Sequence, residues 1–299
     1  VCMANMKEIQ ERMKSIRDTM KITNAMYMIS SSKLKKAKKN LEDTEPYFYT
    51  LQSTMARILR HIPEMEDIYF ENPAKVKPIE ETRAGFVVVT ADKGMAGAYN
   101  HNVIRLAEEE MAKYNDPRLL VVGEQGRHYF EQKGMDIYKE FRYTVQNPTL
   151  HRARSIRNEI LSHYLDGELD KIFIVFTKQV NAMKEEAEVM QLLPLKKADY
   201  KMELPPGITV SELLLRPSPN EVMDKIVPNY IVGFIYGALV EAYCSEQSAR
   251  MTAMESATSS AKDMLHELDV LYNRVRQAAI TQEITEVIGG VRAQKKKKR

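Results

Sequence analysis

The stretch from Lys21 to Lys39 reads KITNAMYMISSSKLKKAKK. No acid occurs between Asp18 and Glu42, so one side of this segment is lysine almost without counter-charge. Reading outward in both directions, apolar or small residues recur at alternating steps of four and three. They are Ile9, Met13, Ile16, Met20, Thr23, Tyr27, Ser30, Leu34, Ala37 and Leu41. A repeat of 3.5 residues is the seam of a left-handed coiled coil. This seam is unusual in containing Thr and Ser. Proline is absent before Pro46 and glycine before Gly85, so a long helix is permitted from the start. Pro46 is expected to interrupt it, and Pro63 to close the following helical stretch, YFYTLQSTMARILRHI.

The C-terminal third repeats the pattern. SPNE, from Ser218 to Glu221, has the form of a capping box with proline at the first helical position. Pro228 is expected to kink or restart that helix. Beyond it the steps of four and three resume: Val240, Cys244, Gln247, Met251, Met254, Thr258, Ala261, Leu265, Leu268, Tyr272, Val275 and Ala279. Gly289 and Gly290 read as a stop, followed by a basic tail, residues 291–299, expected to be disordered. About 60 helical residues make a rod of roughly 90 Å, too long to bury in a domain of this mass. Two heptad segments at opposite ends of one chain pair most simply as an antiparallel coiled coil, with residues 1–62 and 218–290 as its two arms.

The middle differs. GFVVVTAD (Gly85 to Asp92), RLLVVG (Arg118 to Gly123), DKIFIVFTK (Asp170 to Lys178) and EEAEVMQLLPL (Glu185 to Leu195) are strand-like runs, the last marked as an edge by Pro194. Helical patterns separate them at Tyr99 to Tyr114, Gly126 to Lys133 and Leu150 to Leu165. This alternation predicts a Rossmann-like α/β domain of mostly parallel sheet over residues 84–195. The fold class is therefore α/β plus long α.

Composition narrows function. With 44% hydrophobic and 28% charged residues the chain can form a core, and a net charge of +3 gives no nucleic-acid signature. Eighteen methionines and no tryptophan suit adaptable, sliding contacts. The two cysteines, Cys2 and Cys244, fit a reducing compartment better than a disulfide. No apolar run is expected to span a membrane, because IVGFIYGALVEAY is too short and contains Glu241. The turn TADKGMAGAYN (Thr90 to Asn100) matches neither G-x-G-x-x-G nor the P-loop pattern, so it reads as a strand-to-helix turn rather than a nucleotide site. The six histidines show no metal-site spacing, and no nucleophile elbow occurs. Lys33, Lys35, Lys36, Lys38 and Lys39 form either a solvated face, a surface for an anionic membrane or nucleic acid, or a contact for an acidic protein partner.

Three segments together resemble the γ subunit of F-type ATP synthases. MKEIQERMKSIRDTMKITNAMYMISSSKL (Met6 to Leu34) is similar to its N-terminal helix, with the pattern K-I-T-x-A-M. SEQSARMTAMESAT (Ser245 to Thr258) and YNRVRQAAITQEITEVIGG (Tyr272 to Gly290) are similar to its C-terminal helix. TADKGMAGAYN is similar to its D-[RK]-G-L-x-G-x-x-N segment. The matches span almost the whole chain, in order. The resemblance implies a non-catalytic rotor whose terminal helices form a shaft beside a central α/β domain. It turns inside a ring of α and β subunits, with its foot on the ε subunit and the c-ring. It implies no cofactor, no metal, no nucleic acid, and attachment to the membrane only through partners. Met26, Lys33, Lys35 and Lys36 would then meet the acidic lever of the β subunit, and Arg276 and Gln277 a β-subunit loop. Arg250, Thr281, Glu283 and Thr285 fall on positions tied to coupling. The segment after the glycine pair is shorter than usual, VRAQ running into KKKKR, and a regulatory cysteine insert is missing. Without a visible transit peptide, a bacterial protein on the cytoplasmic face of the plasma membrane is expected, and Val1 to Met3 read as a start-site artefact. Two other classes compete with this one: a nucleotide- or small-molecule-binding α/β enzyme with a helical oligomerisation rod, and a self-dimerising coiled-coil scaffold.

Overall fold

The structure is a computed structural model. It describes the backbone of residues 2–62, 64–72, 77–141, 145–180, 184–200 and 215–297, with side chains from residue 6 to residue 291 of those stretches. Val1, Pro63, the Cys2 side chain and the last two residues, on which some of the readings above fall, lie outside the described residues. The chain divides into two compact units: residues 31–250, and residues 1–30 together with 251–299. The first unit is wider than the sheet domain read from sequence, because parts of both terminal helices belong to it.

In chain order the elements are α1 (Cys2–His61), β1 (Ala84–Val89), α2 (Tyr99–Met111), β2 (Arg118–Val122) and α3 (Glu124–Gln132). They continue with β3 (Ile137–Phe141), α4 (Leu150–Leu165), β4 (Lys171–Gln179), β5 (Glu185–Leu193) and α5 (Pro219–Lys297). One five-stranded sheet has the order β3-β2-β1-β4-β5. β1 pairs in parallel with β2 and β4, β2 with β3 in parallel, and β5 closes the edge antiparallel to β4. Strand β3, IYKEF, was not foreseen from the sequence. It is a half-exposed edge strand with Lys139 and Glu140 at its centre, so it lacks the unbroken apolar run of β1.

Period-two alternation divides the strand residues between two cores. Phe86 and Val88 of β1 and Leu119 and Val121 of β2 pack with Val103, Ile104 and Met111 of α2 and with Phe130 of α3. Val87, Val89, Leu120 and Val122 face the opposite layer. That layer holds Ile156 and Ile160 of α4, Met55 and Ile58 of α1, and Ile231, Ile235 and Leu239 of α5. Here the two terminal helices touch directly: the Phe48 ring lies 6.5 Å from that of Tyr236 and closes over Gly233.

In the other unit the helices pair through the seam alone. Ile9, Met13, Thr23 and Ser30 of α1 are buried, as are Met254, Ala261 and Ala279 of α5. The Thr23 and Thr258 hydroxyls hydrogen-bond across the seam at 2.7 Å, and Gln10 Nε2 donates to Tyr272 Oη at 2.9 Å. As numbering falls along α1 it rises along α5, so the pairing is antiparallel.

Two expected breaks are absent, at Pro46 and at the glycine pair, and α5 is not restarted at Pro228. α1 runs through Pro46 and α5 through Pro228. A mid-helix proline costs about 3 kcal/mol, which tertiary packing can offset. Pro228 sits between buried Val227 and Ile231. Neither Gly289 nor Gly290 adopts the left-handed φ that a glycine stop requires, and α5 continues through both to Lys297. The membrane expectation also needs correcting. By length and composition a window of α5 is apolar enough to cross a bilayer, but 67% of it is buried inside the protein.

Candidate functional site

The β1–α2 turn is fastened on two sides. Its neighbour α3 begins at Gly123, whose φ of 101° no side chain would favour, and a Cβ there would meet the Thr90 carbonyl oxygen at 2.2 Å. This close approach lets β1 and the turn bind the first N–H groups of α3. Glu124 N donates to Asp92 Oδ1 (3.2 Å), Gln125 N to the Ala91 carbonyl (3.0 Å) and Gly126 N to Thr90 Oγ1 (2.9 Å). Ala91 N donates to Asn100 Oδ1 (2.9 Å), closing the turn on itself. Met95, at φ 62°, is held at the tip with its side chain exposed.

The second fastening comes from α5. Its segment SEQSAR, Ser245 to Arg250, is polar by sequence yet almost wholly buried. Arg250 Nη2 donates to the carbonyls of Lys93 (3.2 Å) and Gly94 (3.0 Å), and its Nη1 pairs with Glu246 at 2.7 Å. Ser245 Oγ donates to the Thr177 carbonyl on β4. Burial pushes the Glu246 carboxyl up, and the Arg250 guanidinium pulls against it. Asp92 is raised too, by burial first, against the N–H groups of Glu124 and Gln146. A buried ion pair is weak evidence for net stability but strong evidence for a defined arrangement, since losing either partner strands a charge.

The residues singled out in the sequence therefore fall into distinct settings. Arg250 is buried and works on the turn. Lys33, Lys35 and Lys36 are exposed on α1, and Met26 is half-buried. Arg276, Gln277, Thr281, Glu283 and Thr285 are all exposed on α5. Gln277, Thr281 and Thr285 share one face, where the Thr281 hydroxyl donates to the Gln277 carbonyl (2.9 Å) and that of Thr285 to the Thr281 carbonyl (2.7 Å). Those hydroxyls donate to carbonyls of their own helix, while Arg276, the Gln277 amide and the Glu283 carboxylate stand exposed to a partner. Sequence reading missed Glu246 and Asp92. The i, i+4 spacing of Glu246 and Arg250 was visible, but their burial was not. Among the described residues no three His, Cys, Asp or Glu side chains cluster to hold a metal.

From Ile280 to Val291 every residue of α5 is exposed. Ile280, Ile284, Val287, Ile288 and Val291 fall at helical spacing along one stripe, each 47–66% exposed.

Comparison with known proteins agrees with this architecture. A family model described as ATP synthase matches residues 5–293. The ATP synthase gamma chain of Acetivibrio thermocellus is 44% identical over 98% of this chain and 100% of that protein. The ATP synthase gamma chain, sodium ion specific, of Acetobacterium woodii is 34% identical over 97% of this chain and 98% of that one. Among solved structures, a chain of the Euglena gracilis mitochondrial ATP synthase (OSCP/F1/c-ring, rotational state 3) aligns with a TM-score of 0.67. It covers 99% of this chain and 96% of its own length at 16% identity, so the likeness is one of fold. A chain of the Tetrahymena thermophila mitochondrial ATP synthase central stalk and c-ring aligns at 0.58, with 22% identity, over 79% of this chain and 99% of its own. Together, the full-length family match and the near-complete coverage of the curated relatives show that the chain belongs to the ATP synthase gamma chain family.

Proposed function

We propose that this chain is the rotor of an ATP synthase central stalk. It is non-catalytic itself and carries ion-driven rotation of a c-ring to the catalytic sites of an α/β ring. The observation that carries the reading is the bare end of α5. A helix whose apolar stripe from Ile280 to Val291 stands exposed among the described residues needs an enclosing surface, and an apolar sleeve that lets it turn supplies one.

The seam supports the same reading. Small and polar residues at Thr23, Ser30 and Thr258 permit close helix approach without a deep apolar outer face. Met26, Lys33, Lys35 and Lys36 would touch an acidic β-subunit lever in passing. Exposed charge pairs are worth about 0.2–1 kcal/mol each, which suits contacts that break and re-form. Arg276 offers a fork for a carboxylate and Gln277 a donor–acceptor pair to a β-subunit loop. Arg250 would serve coupling indirectly by holding the β1–α2 turn, with Thr281, Glu283 and Thr285 flanking the switch contact on α5. The ε subunit and the c-ring would grip the foot, and protons or sodium would be the coupling ion. The chain would then sit on the cytoplasmic face of a bacterial plasma membrane through these partners alone.

The test is co-purification from native membranes followed by reconstitution. The chain is expected to bring α, β, ε and c subunits with it, and Arg276→Ala with Gln277→Ala to assemble normally but turn over more slowly. A complex lacking those subunits, or a double variant with wild-type turnover, would refute the assignment.

A further inference from the structure

Within the unit of residues 31–250, α1, α5 and the β3–α4 connection line an open cleft of about 230 Å³, and two of the lysines proposed above to touch a β-subunit lever, Lys33 and Lys36, face into it. Lys33, Lys36 and Asn40 line it from α1 at steps of three and four, so they share one helix face. Gln146 and Asn147 line it from the connection, and the buried Tyr243 from α5. No carboxylate is among its walls. Among the described residues, the side chains of these six make no hydrogen bond or ion pair within the chain. The nearby Glu246 carboxylate is held by Arg250.

The wall that carries the amides is rigidly placed. Arg152 Nη1 donates to the Asn147 carbonyl at 2.7 Å, and Thr149 caps α4 by accepting from Arg152 N at 3.3 Å. Asp92 of the fastened turn draws on the Gln146 N–H. Burial pushes the Tyr243 phenol up to about 12, which keeps it a neutral O–H donor. Two ammonium groups, three amides and a phenol thus line one cleft.

We propose that this cleft is an oxyanion site, built for one carboxylate or phosphate group. Two cations focused at a concave, acid-free surface concentrate anions there, and neutral donors fix the orientation of the one that enters. The oxyanion has two sources with the same chemistry: an acidic side chain of a protein partner, or free inorganic phosphate. The site belongs to the chain by itself, so its test is independent of the assembly proposed above.

The full-length chain is titrated calorimetrically at low ionic strength with sodium phosphate in one arm and N-acetylglutamate in the other. Lysine side-chain NMR shifts are followed in parallel. Saturable binding on the order of 1 mM is expected for at least one probe, with Lys33 and Lys36 shifting most. Lys33→Gln with Lys36→Gln is expected to weaken it about tenfold, and Lys38→Gln with Lys39→Gln, which removes the same charge outside the cleft, less than about twofold. Tighter phosphate identifies the free anion as the ligand, and tighter N-acetylglutamate identifies a protein side chain. No saturation by either probe, or equal losses in the two double variants, would overturn the site in favour of a diffuse lysine field.

Discussion

The same two helices live in two environments. Between residues 31 and 250, α5 is buried on almost every side from Ala238 to Ser248, and even Glu246 and Arg250 are withdrawn from water. Between residues 251 and 291 it hides only a seam, and beyond Ala279 it hides nothing. The heptad steps run through both regions without a change of period. Periodicity therefore fixes which face of a helix points inward, while the surroundings decide how much of the rest is covered. The difference also sorts the consequences of change. In the body each residue is held by several neighbours. In the paired ends a residue answers to one neighbour, or to a partner outside the chain.

The largest effect is expected where polar groups are most deeply buried. Arg250→Ala strands Glu246 and frees the turn carbonyls, and is expected to lower stability in chemical denaturation by about 3–5 kcal/mol. Replacing both partners, Glu246→Leu with Arg250→Met, should recover much of that loss. If the single variant melts like wild type, the latch is decorative. Next comes Gly233→Ala, whose Cβ would lie 1.9 Å from the Phe48 ring. Overpacking of this kind is expected to cost about 1–3 kcal/mol, read from the denaturation midpoint.

A smaller effect concerns acid. Burial alone would raise Asp170, but hydrogen bonds from Arg83 and Lys77 outweigh it and hold the carboxyl down at about 2. A depressed folded-state value contributes stability that is complete above the unfolded value and fades as pH falls through the folded one. Asp170→Asn is thus expected to cost about 1 kcal/mol at neutral pH, allowing for solvent screening, much less near pH 2 and nothing below about pH 1. A stability difference that does not shrink between about pH 4 and pH 2 would exclude this ion pair as its source. Smallest of all is the change at the open end. Gly289→Ala and Gly290→Ala meet no neighbouring atom, and each is expected to favour helix by up to about 1 kcal/mol, seen as increased circular dichroism at the helical band. Reduced helicity would mean that the glycines are needed where they stand.

The sequence exposed the long helices, their pairing and most of the sheet, because those rest on periodicity and on β-branched runs. Every seam residue from Ile9 to Leu41 and from Val240 to Ala279 is buried or half-buried. Breaks were over-read: Pro46, Gly289 and Gly290 have local tendencies that the surrounding helix and its packing override, and Pro228 does not restart α5. β3 was missed because an edge strand with charged residues lacks an apolar signature. The site was legible only in part. Arg276 and Gln277 flank the seam and are exposed, as their position beside Val275 suggests. Arg250 drew notice through its motif alone. Its contact with the turn around Gly94 joins residues 156 apart in sequence, which no local pattern can reveal.

As a rotor, the chain would turn relative to its partners. The most direct measurement attaches a single fluorophore to the exposed Lys93 position, as Lys93→Cys, in the assembled complex. The catalytic ring is immobilised and the polarisation of single molecules is followed during ATP hydrolysis. The account predicts stepwise rotation in one direction, stopping when ATP is exhausted. A complex that hydrolyses ATP at its normal rate while the label keeps a fixed orientation would contradict it.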